Sequence, residues 1–359
     1  MSSTLKWKPD WPAARGNLVK WWHRQGLALC LTVPRAPVEP ITRPPELADV
    51  ETRWTDPAYR CSRAEAEMAE CDFLAEAFPY FDTQIGPGSL GTFLGARPRF
   101  DPGTVWYEPC IDDPESYGPI RFDPQGNRWW RAHMALIDEG LRRAGGRYLV
   151  GIPDLIENID TLAAMRGNER LLMDLIDRPA WVKERLAEIN EAFFAAFSLM
   201  YGKVKDEQGG NAFCAFRIWG PGKTAKLQCD FSCMISARMF REFVSGPLAA
   251  QCEWLDYSMY HLDGTTALQH VEALLEIEAL DAIEWTPQAG RPGGGSPEWY
   301  DLYRRIKAGG KAVQAIGVAI DEVVPLLDAV GPEGLFILCA APDRAAADRV
   351  LKAVEPYRK

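Results

Sequence analysis

Several features that would classify this chain of 359 residues at once are missing from it. No apolar run reaches the roughly 18 residues that a membrane-spanning helix needs. The first residues, MSSTLKWKPDWPAARGNLVKWW, contain no apolar core of the kind a secretory signal carries. No cluster of Lys and Arg stands out and the formal net charge is -10, so the basic face of a nucleic-acid binder is lacking. C-x-x-C does not occur. The nine cysteines are an odd number scattered through a long chain, which argues against a disulfide framework and for reduced thiols. These absences predict a soluble, cytoplasmic protein with neither nucleic acid nor membrane as partner.

What is present is ordinary for a globular protein: 47% hydrophobic and 25% charged residues. The C-terminal half alternates regularly. Strands are expected over 213–220, 256–262, 281–286, 311–318 and 335–339. Helices are expected over 235–255, 265–280, 296–310, 321–331 and 343–357. The strands are short, apolar on both faces and bounded by Gly, Pro or Asp, as in a parallel sheet covered by helices. Further upstream, RYLVGIP (147–153) reads as a strand, and 65–81, 127–146 and 161–204 read as helical. Residues 1–64 are rich in Pro and Trp, and tryptophans at that density are rarely left solvated. The expectation is one α/β domain over 1–359, a (β/α)8 TIM barrel, with an irregular N-terminal extension over 1–64 packed on it.

Three glycine-rich stretches invite phosphate or lid readings. GPGKT (220–224) lacks the first glycine of a phosphate loop, because Arg217 stands there. A turn after a strand is the better reading. GPGSLG (86–91) reads as a strand-end loop whose backbone comes close to a ligand or a neighbour. GRPGGGSPE (290–298) follows a strand and, in a barrel, lies where a lid would.

The stretch YHLDG (260–264) carries the sharpest signal. His261 and Asp263 are two residues apart, so on a strand they point to the same side. The next strand carries Glu284 and the last one ends in Cys339. All four are zinc-capable residues, each near the C-terminal end of its strand, where barrel enzymes place their sites. The plainer alternative is that His261 and Asp263 bond locally, Glu284 pairs with an arginine and Cys339 is a small apolar residue. Asp154, Glu157, Trp219, Lys223, Asp230, Ser232, Trp285 and Gln314 also fall near the expected mouth, as pocket residues. Helix capping is the alternative for Asp230 and Ser232, and packing the alternative for the two tryptophans. His23, His133 and His270 read as structural.

These residues resemble those of the uroporphyrinogen decarboxylase-like and cobalamin-independent methionine synthase superfamily. The resemblance covers most of 80–357 and includes QCDFSCMISARMFREFVSGPL, YHLDGTTALQHVEALL, DAIEW and ENIDTLAAMRG. Its methyltransferases carry a His-x-Cys at one strand end, often a Glu at the next, and a Cys near the last strand. His261, Glu284 and Cys339 match that pattern, and Asp263 stands in place of the first cysteine. The resemblance implies a barrel and a zinc-dependent methyltransferase, with Zn2+ on His261, Asp263, Glu284 and Cys339. The first three would also be catalytic. It implies a small thiol, alcohol or corrinoid as acceptor, and a methylated corrinoid, a methylfolate or a small methylated compound as donor. A corrinoid protein and a second copy in a homodimer are the implied partners. The same superfamily offers a metal-independent, decarboxylase-like lyase, for which Arg24 and Arg35 are the only carboxylate-gripping candidates in WWHRQGLALCLTVPRAP. A non-catalytic binding protein on a degenerate barrel is the third expectation.

Overall fold

The computed structural model describes residues 4–37 and 41–358. Its strands, in chain order, are β1 (Leu27–Pro34), β2 (Cys71–Ala75), β3 (Tyr80–Phe81), β4 (Arg97–Phe100), β5 (Val105–Glu108), β6 (Leu149–Ile152) and β7 (Asn211–Phe213). They continue as β8 (Ile218–Gly220), β9 (Thr224–Gln228), β10 (Tyr257–Asp263), β11 (Ala282–Thr286), β12 (Ala312–Ala315) and β13 (Leu335–Ala340). The larger sheet runs β2-β1-β13-β12-β11-β10-β9, and every pair in it is parallel except β1–β2. The smaller sheet runs β3-β6-β7-β8 and is parallel until β8 turns back. β4 and β5 form a separate hairpin. LVGI of β6 and AVQA of β12 are buried along their whole length, as strands covered on both faces must be.

The main-chain ladders do not close these strands into the expected barrel. The fold is mixed α/β with a parallel sheet, and a side chain bridges one of the gaps between the two sheets. Between β7 and β9, Asn211 Nδ2 donates to the Thr224 carbonyl at 3.0 Å, and the Thr224 N–H donates to Asn211 Oδ1 at 2.9 Å. Beside β1, the Leu29 N–H donates to Glu76 Oε2 at 2.7 Å, while the Glu76 N–H donates to the Leu29 carbonyl at 2.9 Å. Each side chain supplies the donor or acceptor that a missing strand neighbour would have given, which keeps buried backbone groups paired.

Residues 1–64 are partly regular. Their described part contains β1, the short helix Val50–Thr55, the start of the helix Pro57–Ala69, and a helix, α1 (Trp11–Trp22), that lies under the N-terminal ends of the strands. Trp21 Nε1 donates to the Val313 carbonyl at 3.2 Å, and Trp22 Nε1 to the Trp219 carbonyl at 2.9 Å. The Trp21 ring lies 5.1 Å from Phe336, and Trp11 meets Trp219 edge-on at 5.4 Å. The four tryptophans are at most 2% exposed. Each buries a large apolar surface, and those of Trp21 and Trp22 also satisfy their N–H groups.

Two elements differ from expectation in ways that shape the site. The strand expected over 213–220 is a hairpin, because Phe216 and Arg217 adopt left-handed φ values of 58° and 53° and reverse the chain. The parallel strand that continues the sheet is β9, TAKLQ, all five residues of which are buried. The helix expected over 265–280 is a 3-10 turn over Thr265–His270 followed by Val271–Leu275. There the buried His270 bonds the Ser232 carbonyl at 3.0 Å and stacks on Phe240.

Candidate metal centre

The register of the larger sheet sets out a row of polar side chains. Gln228 on β9 stands opposite His261 on β10, His261 opposite Glu284 on β11, and Glu284 opposite Gln314 on β12. Register partners point to the same face, so these four share it. Two residues further along, Asp263 pairs with Thr286, and Asp230 follows Gln228 by the same step. All of them sit at or just beyond the C-terminal ends of parallel strands.

Asp230, His261 and Asp263 converge there. Each offers a ligand atom, and these atoms lie within 4.8 Å of one another. Among the described residues this is the one such group of His, Cys, Asp and Glu. Glu284, fully buried, stands behind it. Its Oε2 takes the hydrogen bond of His261 Nδ1, and its Oε1 accepts from Thr286 Oγ1 at 2.8 Å. With Nδ1 engaged, Nε2 is the imidazole atom left for an ion, the arrangement in which a second carboxylate fixes the tautomer of a metal-binding histidine. The Phe216 ring, 4.6 Å from the imidazole, holds its other side. Gln228 Nε2 donates to Asp230 Oδ2 at 2.7 Å, and Asp160 accepts the N–H groups of Asp230 and Phe231 at 2.7 and 2.8 Å.

Two carboxylates and an imidazole make a donor set of oxygen and nitrogen that suits a borderline divalent ion such as zinc. Burial lowers the basicity of His261, but the charge and hydrogen bond of Glu284 outweigh it, and the imidazole is held above its usual range. Burial raises the Asp263 carboxyl, His261 opposing and Asp230 adding. Glu284 is likewise raised by burial, against the pull of His261.

A second buried array adjoins the first. Lys226, wholly inaccessible, is ion-paired with Asp154 at 2.7 Å and also reaches Gln228 Oε1. Glu157 Oε1 accepts the Gln228 N–H at 2.9 Å, and its Oε2 has no hydrogen-bond partner among the described residues. Burial pushes the Glu157 carboxyl up to about 8, opposed by Lys226 and reinforced by Asp154. Asp160 is pushed up to about 7 by burial and by the charge of Asp230.

The structure thus brings His261 and Asp263 together with Asp230, and sets Glu284 against His261. Cys339 stands apart. It faces Leu31 in register, and the alternation that puts Phe336 in the Gln314 row assigns Cys339 to the opposite face. Burial pushes its thiol up to about 12. Asp154, Glu157 and Gln314 border the site, Gln314 through a 3.0 Å bond to the Phe216 carbonyl. Trp219 lies at the other end of the strands against α1, and Trp285 packs on Trp299 at 5.0 Å. Lys223 caps the Trp254 carbonyl and covers that ring. Sequence reading missed Lys226 and Gln228, because a buried lysine just after a glycine-rich turn does not look like part of a strand. It also missed Asp160, Thr286 and Phe216. GPGSLG has the G-x-G-x-x-G spacing of a dinucleotide loop but not its setting. The strand before it has two residues and the helix after it five.

No protein-family model matches the chain, and no curated protein matches it. The fold is similar to that of a solved methyltransferase from Methanosarcina mazei. The TM-score is 0.61 at 10% identity, over 96% of this chain and 98% of that one. At that identity the likeness is one of fold.

Proposed function

We propose that this protein is a zinc-dependent methyltransferase on a (β/α)8-type barrel, of which the two sheets are arcs. The convergence of Asp230, His261 and Asp263, with Glu284 behind the imidazole, carries the reading. The fold shared with the Methanosarcina mazei methyltransferase supports it. Asp230, His261 and Asp263 would hold the ion, Glu284 orienting His261 rather than ligating, and Cys339 taking no part. A bound zinc ion supplies Lewis acidity, which lowers the pKa of an acceptor thiol, alcohol or water.

The chain's own residues do the rest. Glu284 keeps Nδ1 protonated and Nε2 free. Asp230 and Asp263 supply negative charge against the ion. Phe216 covers one face of the imidazole and keeps water from it. Glu157, its carboxyl pushed up to about 8 by burial, accepts the Gln228 N–H at Oε1 and keeps its proton through neutral pH. A methylated corrinoid, a methylfolate or a small methylated compound would be the methyl donor.

The lyase reading needs free arginines for substrate carboxylates. Arg35 is engaged by Asp72 at 3.1 Å and by the Ala69 carbonyl at 3.0 Å. Arg24 precedes β1, at the opposite end of the strands, next to Gly334. The test is metal analysis of protein purified without added zinc, then methyl transfer from each donor class. About one zinc per chain, lost in His261→Ala, supports the proposal; protein that binds no metal when zinc is supplied ends it.

A further inference from the structure

A cavity of about 600 Å3 opens beside the three-residue group and shares Asp230 with it. One wall is the β4–β5 hairpin, which contributes Trp106 and Tyr107. Facing it are Ile156 and Asp160 at the start of the helix Asn158–Arg166, and Phe231 and Met234 from the turn after β9. The wall is built rather than incidental. A Cβ at Gly86 would lie 2.4 Å from Val105 Cβ, and one at Gly88 3.2 Å from the Tyr107 ring, so both glycines let the hairpin seat on the loop. Both also have positive φ, 68° and 81°. The Tyr107 hydroxyl donates to the Pro87 carbonyl. Trp106 is 54% exposed and Met234 41%, two large apolar side chains at one rim.

The charge in this cavity has one sign. Asp160 and Asp230 line it, and no Lys, Arg or His does among the described residues. The basic residues Lys6, Lys8 and Arg35 line a different cavity, beside β2. A divalent ion on Asp230, His261 and Asp263 would still leave the carboxylate of Asp160 lining the cavity. Aromatic faces with carboxylates and no cation of their own are the chemistry that recognises alkylated ammonium groups. The net charge of -10 draws cations toward the molecule as a whole.

We propose that this cavity binds an organic cation, a methylated ammonium head carried on an apolar body, with the head against Trp106 and the two aspartates. The assignment rests on the methyltransferase reading for the ligand's fate. Its binding is measured without turnover, so that either can fail alone. Calorimetric titrations would use benzyltrimethylammonium, choline, the neutral alcohol in which carbon replaces the nitrogen of choline, and benzoate. Both ammonium ions are expected to bind, choline about tenfold more tightly than its neutral counterpart, with benzoate undetectable. Trp106→Ala should weaken both ammonium ions about tenfold and Trp106→Phe by less than about threefold, with zinc content unchanged in each. Equal binding of choline and the neutral alcohol overturns the proposal, as does binding of benzoate in preference to the cations or full binding by Trp106→Ala. Cation binding by a protein that takes up no zinc would uphold the cavity assignment and remove the metal reading.

Discussion

The two ends of the parallel strands are built from opposite materials. At the N-terminal ends, Trp11, Trp21, Trp22 and Trp219 interlock beneath the sheet, and the indole N–H groups of Trp21 and Trp22 cap backbone carbonyls. At the C-terminal ends, Asp154, Glu157, Lys226, Glu284 and His261 are buried or nearly so, and their charges depend on one another. One end is dominated by apolar burial. The other gathers charged groups, among them Glu157 and Glu284, whose carboxyls burial has raised, an arrangement that weakens a fold unless a ligand or an ion completes it. Stability and chemistry are therefore separated along the strand axis, and each end can be altered while the other is watched.

The largest effect is expected at the apolar end. Trp22→Ala should cost about 3–5 kcal/mol of unfolding free energy, the usual penalty for emptying a buried aromatic site. Denaturant titration reads that loss. The zinc content of the folded fraction should stay unchanged, and a proportional loss of metal would mean that the two ends are not independent.

At the polar end, Glu157 should make stability depend on pH. Its carboxyl is raised from 4.5 to about 8 in the folded state, so the folded protein binds the proton more tightly than the unfolded chain. Its contribution is complete below pH 4.5 and is lost as pH rises to about 8. Over that window stability should fall by at most about 1.4 kcal/mol per pH unit. Glu157→Gln should flatten this slope in metal-free protein, and an unchanged slope would assign the dependence to other groups.

Glu284→Gln should weaken zinc binding by about 10–100-fold, the usual effect of removing the carboxylate behind a metal-binding histidine. A competition assay with a coloured chelator measures it. Complete loss of metal would make Glu284 a direct ligand. The smallest effect is expected for Cys339→Ser. Zinc affinity should not move, and stability should change by less than about 1 kcal/mol.

The polar end was more legible in the sequence than its partners were. His261 and Asp263 show themselves as an i, i+2 pair closing an apolar strand, and Glu284 as the acid in the middle of the apolar strand AIEWT. Asp230 was visible only as a pocket or capping residue. Its role depends on β9, and β9 is disguised by a buried lysine and glutamine whose partners, Asp154 and Asp230, are remote or lie beyond the strand. Cys339 was grouped with the other three by type and strand position, but the alternation of β13 assigns it to the other face. The order of strands and helices in the C-terminal half followed from apolar runs and glycine boundaries. The hairpin at Phe216 and Arg217 did not, because left-handed backbone at two non-glycine residues carries no sequence signal. Nor did the gap between β7 and β9, where Asn211 replaces ladder hydrogen bonds with side-chain ones.

The central claim is that the ion-holding group is Asp230, His261 and Asp263. Zinc content measured in parallel on the wild type, Asp230→Asn and Cys339→Ser tests it most directly. About one zinc per chain in the wild type and in Cys339→Ser, with little or none in Asp230→Asn, is the predicted result. Zinc retained by Asp230→Asn and lost from Cys339→Ser would contradict it.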